Sequence, residues 1–326
     1  MTHPFRRKLL IAAMLGLSAS LAFAQGNAAW PNKPIKLVVP YAAGGPADVV
    51  ARELALVLTN DLKQAVTVEN QGGGMGVPAL GVVARAEPDG HTLLLAAFGN
   101  MVLQPMLSKK GGADLVAKLK PVSTISTGPH VLVVSAKLPV KNISELIDYA
   151  RANPGKVSFA SAGTGGTAHL GMEMFKALSK TDVIHVPYKG SAGAVNDLIS
   201  GEVSAMFSSL PSLQGLADKG LVKVLAATAP SKSNATKSLP LLGTALPGFD
   251  YTTWYAMYAP LATPKPVVDA INTALTKALK TPALVAKIEA AGTELQPGSP
   301  EEVQAWTQRD TEKWSRVIRD AKIAVD

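Results

Sequence analysis

Twice in this chain a short apolar run breaks into small residues and glycines, then resumes with helical periodicity. The first stretch is Leu37-Val38-Val39-Pro40-Tyr41-Ala42-Ala43-Gly44-Gly45-Pro46-Ala47-Asp48, followed by Val49, Val50, Leu54, Val57 and Leu58. The second is Val157-Ser158-Phe159-Ala160-Ser161-Ala162-Gly163-Thr164-Gly165-Gly166-Thr167-Ala168-His169. A strand feeding a glycine turn that opens a helix leaves unpaired backbone N–H groups at the helix start. Those donors, with the helix dipole, suit an anion. Glycine also lets a ligand approach the backbone with no Cβ in the way. The repetition predicts two such loops facing each other across a cleft.

Further strand-like runs lie at 35–39, 66–69, 92–96, 131–134, 183–186, 203–207 and 222–227, alternating with helical patterns. That alternation predicts parallel, doubly wound sheets of the α/β class. Asn142-Ile143-Ser144-Glu145 reads as a capping box, and Ser299-Pro300-Glu301-Glu302 as a second helix start with Pro in its first turn. The helices after Thr263 carry no strand pattern of their own and are expected to pack back on the first lobe. Residues 30–127 plus 253–326 then form one lobe and 128–252 the other. Segments 126–129 and 250–253 cross between them as the hinge.

Arg6-Arg7-Lys8, the apolar run from Leu9 to Leu21 and Ala22-Phe23-Ala24 together predict a signal peptide over 1–24, cut after Ala24. Cleavage removes three of the 32 Lys and Arg and none of the 24 Asp and Glu, leaving a net charge of +5. The excess is spread along the chain, with no basic stripe interleaved with aromatics, so nucleic acid is not an expected partner. No later run reaches the ~18 apolar residues of a membrane helix. The chain has no cysteine, hence no disulfide and no lipid-modified tether. An exported, untethered binding protein is held near the cell only by an outer membrane, which points to a periplasm.

Signs of catalysis are thin. There is no G-x-S-x-G elbow. His91, His130, His169 and His185 lack metal-ligand spacing and there is no thiol, so neither a metal nor a cofactor is expected. Gly163 to Ala168 fits the loose dinucleotide motif, with Asp182 about 20 residues on. An anion-binding helix start explains the same glycines with fewer assumptions. Ser161 and His169 could be nucleophile and base, or a ligand donor and a brace for the loop. Asp48 has a structural reason in the helix dipole. Lys189 reads as an anion partner or a solvated lysine, Tyr188 as a cleft wall or packing, and Asp197 as structural. Tyr41, Phe207 and Trp254 read as cleft walls or core.

Taken in order, Pro34-Ile35-Lys36-Leu37-Val38-Val39-Pro40 with Ala43-Gly44-Gly45 and Asp48, Val68-Glu69-Asn70, Pro88-Asp89-Gly90-His91-Thr92-Leu93-Leu94, Gly163-x-Gly165 with His169-Leu170, His185-Val186-Pro187-Tyr188-Lys189-Gly190, Asp197-Leu198 with Gly201, and Ala259-Pro260 with Thr263-Pro264 resemble the Bug receptors. These are the substrate-binding proteins of tripartite tricarboxylate transporters. The resemblance covers nearly all of the mature chain. It implies a two-lobed periplasmic binding protein of type II-like fold, each lobe a doubly wound sheet flanked by helices. Such a receptor is a monomer rather than an enzyme, and closes on a small organic carboxylate for delivery to integral membrane transporter subunits. A receptor that signals to a membrane sensor kinase is the alternative, and a periplasmic enzyme a third reading.

Carried over by motif, the ligand contacts are Tyr41, Ala43, Gly44 and Gly45 in one lobe and Ser161, Gly163, Gly165, Gly166 and Thr167 in the other, with Tyr188 added as a cleft-lining residue. In the family the carboxylate is held by backbone N–H groups and ordered waters. Ala42 replaces a common Pro, Gly166 a frequent Ser, and Gly72 and Met75 alter a Pro-Gly-Ala-Gly-Gly run. Ser208 stands where Asp is common, removing a partner for a ligand ammonium, so a plain carboxylate is expected over an amino acid.

Overall fold

A computed structural model describes residues 30–107, 112–188, 191–290 and 293–320. The expected signal peptide and Lys189-Gly190 lie outside the described residues.

Eleven strands among the described residues form two sheets. The first holds β1 (Ile35–Val39), β2 (Val66–Asn70), β3 (Thr92–Ala97), β4 (Leu119–Pro129), β10 (Thr252–Pro260) and β11 (Glu294–Leu295), in the order β11-β4-β10-β3-β1-β2. The second holds β5 (Val131–Ser135), β6 (Val157–Ser161), β7 (Val183–Pro187), β8 (Ala205–Ser208) and β9 (Val222–Ala227), in the order β7-β6-β8-β5-β9. The helices used below are α1 (Pro46–Leu62), α2 (Val77–Ala84), α3 (Ile143–Ala152), α4 (Thr167–Ser179), α5 (Ser191–Ser200), α6 (Pro211–Asp218), α7 (Lys265–Ala278), α8 (Pro282–Ala290) and α9 (Pro300–Asp320).

The expected parallel pairing holds where strand and helix alternate: β1 with β2 and β3, β6 with β7 and β8. Both sheets are nonetheless mixed. β10 runs antiparallel to β3 and β4, β11 to β4, and β5 to β8 and β9. The exceptions centre on strands that carry the chain between sheets, which must leave and re-enter in opposite directions. β4 and β10 pair from Leu119↔Pro260 to Pro129↔Thr252. The sequence marks only the hinge ends of these strands. β4 interleaves Ser123, Thr124 and Ser126, all buried, among apolar residues, so no alternation shows. The hydroxyls of Ser123 and Thr124 donate to the carbonyls of Gly298 and Gln296, which satisfies them inside. The C-terminal segment does hold a strand, contrary to expectation: β11 is two residues long, too short for any periodicity to reveal.

One face of the first sheet is covered by α1, α7 and α8 through Leu54, Ile271, Leu275 and Ile288. On its other face Leu80, Val83 and Trp314, from α2 and α9, join a core that continues into the second sheet through Phe159, Phe175 and Phe207. Tyr251, Trp314 and Phe98 link the two halves by aromatic contacts at centroid distances of 5.7–6.0 Å. Phe98 immediately precedes the π-helical turn Gly99–Leu103 that follows β3, so this core reaches the rim of the interlobe cleft. Among the described residues no helix is long and apolar enough to cross a membrane.

Candidate ligand-binding cleft

The first glycine loop ends β1 and opens α1. Its N-cap is Gly45, with no side-chain cap, and Pro46 fills the first helical position. Gly44, just before the cap, sits at φ +84, where an L side chain would be strained. Its N–H donates to Asp48 Oδ2 at 2.9 Å, and Arg52 Nε donates to the same oxygen at 2.9 Å. Arg52 Nη2 reaches Asn70 Oδ1 (3.2 Å), and Asn70 Nδ2 reaches the Tyr41 carbonyl (3.2 Å). Burial opposes ionisation of Asp48. The bonds from Arg52 and Gly44 outweigh it and hold the carboxyl below its usual range.

The second loop, between β6 and α4, repeats this geometry with other chemistry. Its N-cap is Gly166 at φ −75, ψ 170, against φ −82, ψ 171 for Gly45, again without a side-chain cap. Gly165 sits at φ +77. Its N–H donates to His169 Nδ1 at 3.0 Å. In each lobe, then, the third helical residue reaches back past the N-cap to the glycine amide before it. A backbone N–H can only donate, so Nδ1 of His169 carries a lone pair and the ring proton is on Nε2. Nε2 faces Glu173 Oε1 at 3.7 Å. The His169 ring holds the Glu173 carboxyl below its usual range against the cost of burial. His185 stacks on His169 at 3.9 Å between centroids and 16° between planes. Burial, reinforced by His169, pushes the His185 pKa down to about 4, so the ring is neutral in neutral solution.

The Gly72–Met75 turn connects the loops. A Cβ on Gly72 would meet the Ala42 amide nitrogen at 2.9 Å, and one on Gly165 would meet Met75 Cε at 3.3 Å. Met75 itself has φ +52, rare outside glycine. Asn100 holds it there: Nδ2 donates to the Met75 carbonyl (2.9 Å), while Oδ1 accepts from Tyr41 OH (2.8 Å) and the Ala97 N–H (3.1 Å). Across the cleft, a Cβ on Gly99 would lie 3.7 Å from Thr167 Cγ2. Tyr41, the glycine loops, Met75, Asn100 and Thr167 therefore share one cleft.

Several residues named from sequence are already engaged there. The N–H groups of Gly44 and Gly165 are donated within their loops. The Gly163 N–H donates to Ser161 Oγ at 3.2 Å, and that of Gly166 makes a long bond to the Gly163 carbonyl. Ser161 Oγ donates to the Gly163 carbonyl at 2.9 Å and lies 2.6 Å from His185 Nε2. The histidine at Ser161 is thus His185, not His169, and the hydroxyl is buried and spent inside the loop. The first-turn amides of Ala47 and Asp48 in α1, and of Thr167 and Ala168 in α4, have no hydrogen-bond acceptor among the described residues. Ala43 is exposed on the first loop and Gly45 half-buried. Elsewhere, Asn142 caps α3 and Ser299 with Glu302 caps α9, whereas α6 and α7 have a proline at the helix start and no side-chain cap.

Tyr188 stands at the end of β7, its N–H on the Ser161 carbonyl and its hydroxyl on Asp197 Oδ2 at 2.5 Å. Burial and Asp197 push its pKa up to about 12. Phe207 and Trp254 are core residues, 2% and 1% exposed. Asp182 lies beside Gly155, at the opposite end of β6 from the glycine loop, so a dinucleotide site does not assemble. Ser208 hydrogen-bonds Ser212. Among the described residues no cluster of ligating side chains fits a metal. Arg52, Asn70, Asn100 and His185 are the supports that sequence reading missed.

The family model for the tripartite tricarboxylate transporter family receptor (TctC) matches residues 50–323. A relative from Pseudomonas sp. (strain P51), described as a UPF0065 protein in the tcbD-tcbE intergenic region, is 34% identical over 98% of this chain and 95% of its own length. Among solved structures, R. palustris Rpa4515 with adipate shares 31% identity at a TM-score of 0.84, over 91% of this chain and 100% of that one. MatC from Rhodopseudomonas palustris with bound malate shares 28% identity at a TM-score of 0.78, over 89% and 100%.

Proposed function

The chain belongs to the tripartite tricarboxylate transporter receptor family, and from that premise we propose that it captures a small organic carboxylate between its two lobes in the periplasm and delivers it to integral membrane transporter subunits. The observation that carries this reading is the pair of glycine-capped helix starts, α1 and α4, opening on one cleft. Each presents first-turn amides without acceptors among the described residues, where the helix dipole favours negative charge. Tyr41, Ala43, Gly44, Gly45, Ser161, Gly163, Gly165, Gly166, Thr167 and Tyr188 shape the site. The direct donors are the free amides of Ala47, Asp48, Thr167 and Ala168. A charge-assisted hydrogen bond contributes about 1.5–3 kcal/mol. Four such donors supply the roughly 8 kcal/mol of micromolar binding after ordering costs.

The carboxylates around the cleft favour a plain organic acid over an amino acid. Asp48 is committed to Gly44 and Arg52, Asp197 to Tyr188, and Glu173 faces His169. Each of these carboxylates already has a partner on one oxygen, the second oxygen of Asp48 being buried and unpaired, and Ser208 supplies no charge. Adipate and malate, bound by the two structural relatives, are therefore the first ligands to try. A thermal-shift screen of the mature protein against mono- and dicarboxylates, with glutamate and aspartate included, tests the reading, because a ligand of the folded state raises Tm. Plain carboxylates are expected to raise it and amino acids not. Silence towards every acid in the panel overturns the proposal.

A further inference from the structure

The two glycine loops share a backbone but differ in the side chain that sets them. Gly44-Gly45-Pro46-Ala47-Asp48 and Gly165-Gly166-Thr167-Ala168-His169 have matching N-cap angles and matching positive φ before the cap. In the first, the amide before the cap is taken by a carboxylate, Asp48 Oδ2. In the second it is taken by an imidazole lone pair, His169 Nδ1. We propose that His169 is the specificity-determining, uncharged counterpart of Asp48, so that the ligand carboxylate is held more strongly at the start of α4 than at that of α1. This rests on the reading that the ligand is an organic acid.

The physical reason lies in what each loop offers an arriving anion. The positive end of a helix carries about half an elementary charge. At α1 the buried carboxylate of Asp48 opposes an incoming anion, and its counter-ion, the Arg52 guanidinium, lies mostly outside at 54% side-chain exposure. At α4 the acceptor is neutral. The carboxylate of Glu173 faces the other ring nitrogen, one turn further along the helix. Stacking on His185, which is itself tied to Ser161, fixes the ring plane so that Nδ1 stays on the Gly165 amide. The first-turn amides of Thr167 and Ala168 thus keep the helix potential for a ligand.

His169→Asn and His169→Asp separate loop setting from charge. Both put an oxygen acceptor where Nδ1 stands, and Asp48 shows that an aspartate forms this bond in the same backbone. Binding of adipate, malate and benzoate is measured by calorimetry, and the Gly165 amide is followed by 1H–15N NMR. H169D is expected to keep the hydrogen-bonded Gly165 amide signal and a wild-type or higher Tm, because a carboxylate in the first turn suits the dipole. It should nonetheless bind each acid at least tenfold more weakly than H169N. The reciprocal change, Asp48→Asn, keeps the Gly44 bond, removes the opposing charge and is expected to tighten binding several-fold. Equal affinities for H169D and H169N, or weaker binding by D48N, overturn the inference while wild-type binding stands. Wild-type protein that binds none of the three acids overturns the carboxylate reading itself, and this inference with it.

Discussion

Gly165 packs against Met75 across the cleft so closely that a Cβ on the glycine would lie 3.3 Å from Met75 Cε and 3.2 Å from Leu107 Cδ1. The same glycine is at φ +77. Gly165→Ala therefore costs backbone strain of about 1 kcal/mol or more and presses on the side-chain tips of Met75 and Leu107 at the cleft contact. The expected outcome is a Tm lower by a few degrees and carboxylate affinity down at least tenfold. Ala at Gly215, inside α6 with open space around it, is the control: it should leave affinity unchanged and raise Tm, because a helix interior favours Ala over Gly.

Asn100 connects three segments of the first lobe through one amide. Removing it strands the Ala97 N–H, the Met75 carbonyl and the Tyr41 hydroxyl, each formerly paired in a buried setting. Leaving buried polar groups unpaired costs roughly 1–3 kcal/mol each, so Asn100→Ala should lose about 2–4 kcal/mol by denaturant unfolding, allowing for relaxation. Asn100→Asp keeps the acceptor and loses the donor to Met75. It should cost less than Ala only if the Tyr41 and Ala97 bonds dominate, and Tyr41→Phe, measured alongside, reports the first of these at about 1 kcal/mol.

Two histidines make folding pH-dependent. Burial pushes His130 down to about 4, its Nδ1 lying 3.0 Å from the Tyr251 hydroxyl, and burial with His169 puts His185 at about 4 as well. The unfolded chain takes up these protons near the ordinary histidine pKa of about 6.5. Below that pH the unfolded state binds more protons than the native state. Stability is therefore complete above about 6.5 and declines as pH falls towards 4, by on the order of 2–3 kcal/mol per histidine. Urea midpoints across this range should fall accordingly. His130→Gln keeps an acceptor for Tyr251 without titrating, and should flatten the slope by about half. An unchanged slope would remove His130 from the account.

The glycine loops were legible because their signal is local: strand, glycines and helix follow one another within a dozen residues. The side chains that hold them were not, because each acts across the fold. Asn100 meets Tyr41 from the helical turn that follows β3, and His185 meets Ser161 from the neighbouring strand. Nor could the sequence say that the Gly44 and Gly165 amides are consumed internally, since that depends on a positive φ that turns each N–H back towards its own helix. β4 stayed hidden because its buried serines and threonines break the hydrophobic pattern, and their partners, Gln296 and Gly298, lie some 170 residues later in sequence.

Trp254 donates its indole N–H to Asp310 Oδ2 at 2.7 Å, both residues being buried. Arg309 pairs with the same carboxylate. Asp310→Ala leaves the indole N–H and one side of Arg309 without an acceptor, at about 2–4 kcal/mol. Asp310→Asn retains an acceptor oxygen and should cost less than half of that. The nearby Phe98–Trp314 stack, 6.0 Å between centroids, adjoins Gly99 at the cleft rim. Ligand closure is therefore expected to alter tryptophan emission, and Trp314→Phe to reduce that change.

Glu294 ties the turn after β9 of the second sheet to β4 of the first. It sits in β11, opposite Thr127 of β4. Its Oε1 accepts from Ser231 Oγ at 2.6 Å, from the Ser233 N–H at 3.1 Å and from the Lys232 N–H. Those three residues follow β9 of the other sheet, so one carboxylate oxygen spans the two. Bonds to a charged acceptor contribute about 1.5–3 kcal/mol each in isolation, and less where water can replace them, as it can at this partly exposed turn. Glu294→Gln retains the oxygen and loses the charge, whereas Glu294→Ala loses every bond. If the tie holds the lobes in this relative position, E294A should raise the radius of gyration of the ligand-free protein in solution scattering. It should also weaken carboxylate binding several-fold, since closure must then supply the order that the tie provided. E294Q should fall between wild type and E294A on both measures. A drop in Tm with no change in scattering or affinity would make Glu294 a local brace for the turn, with no part in setting the cleft.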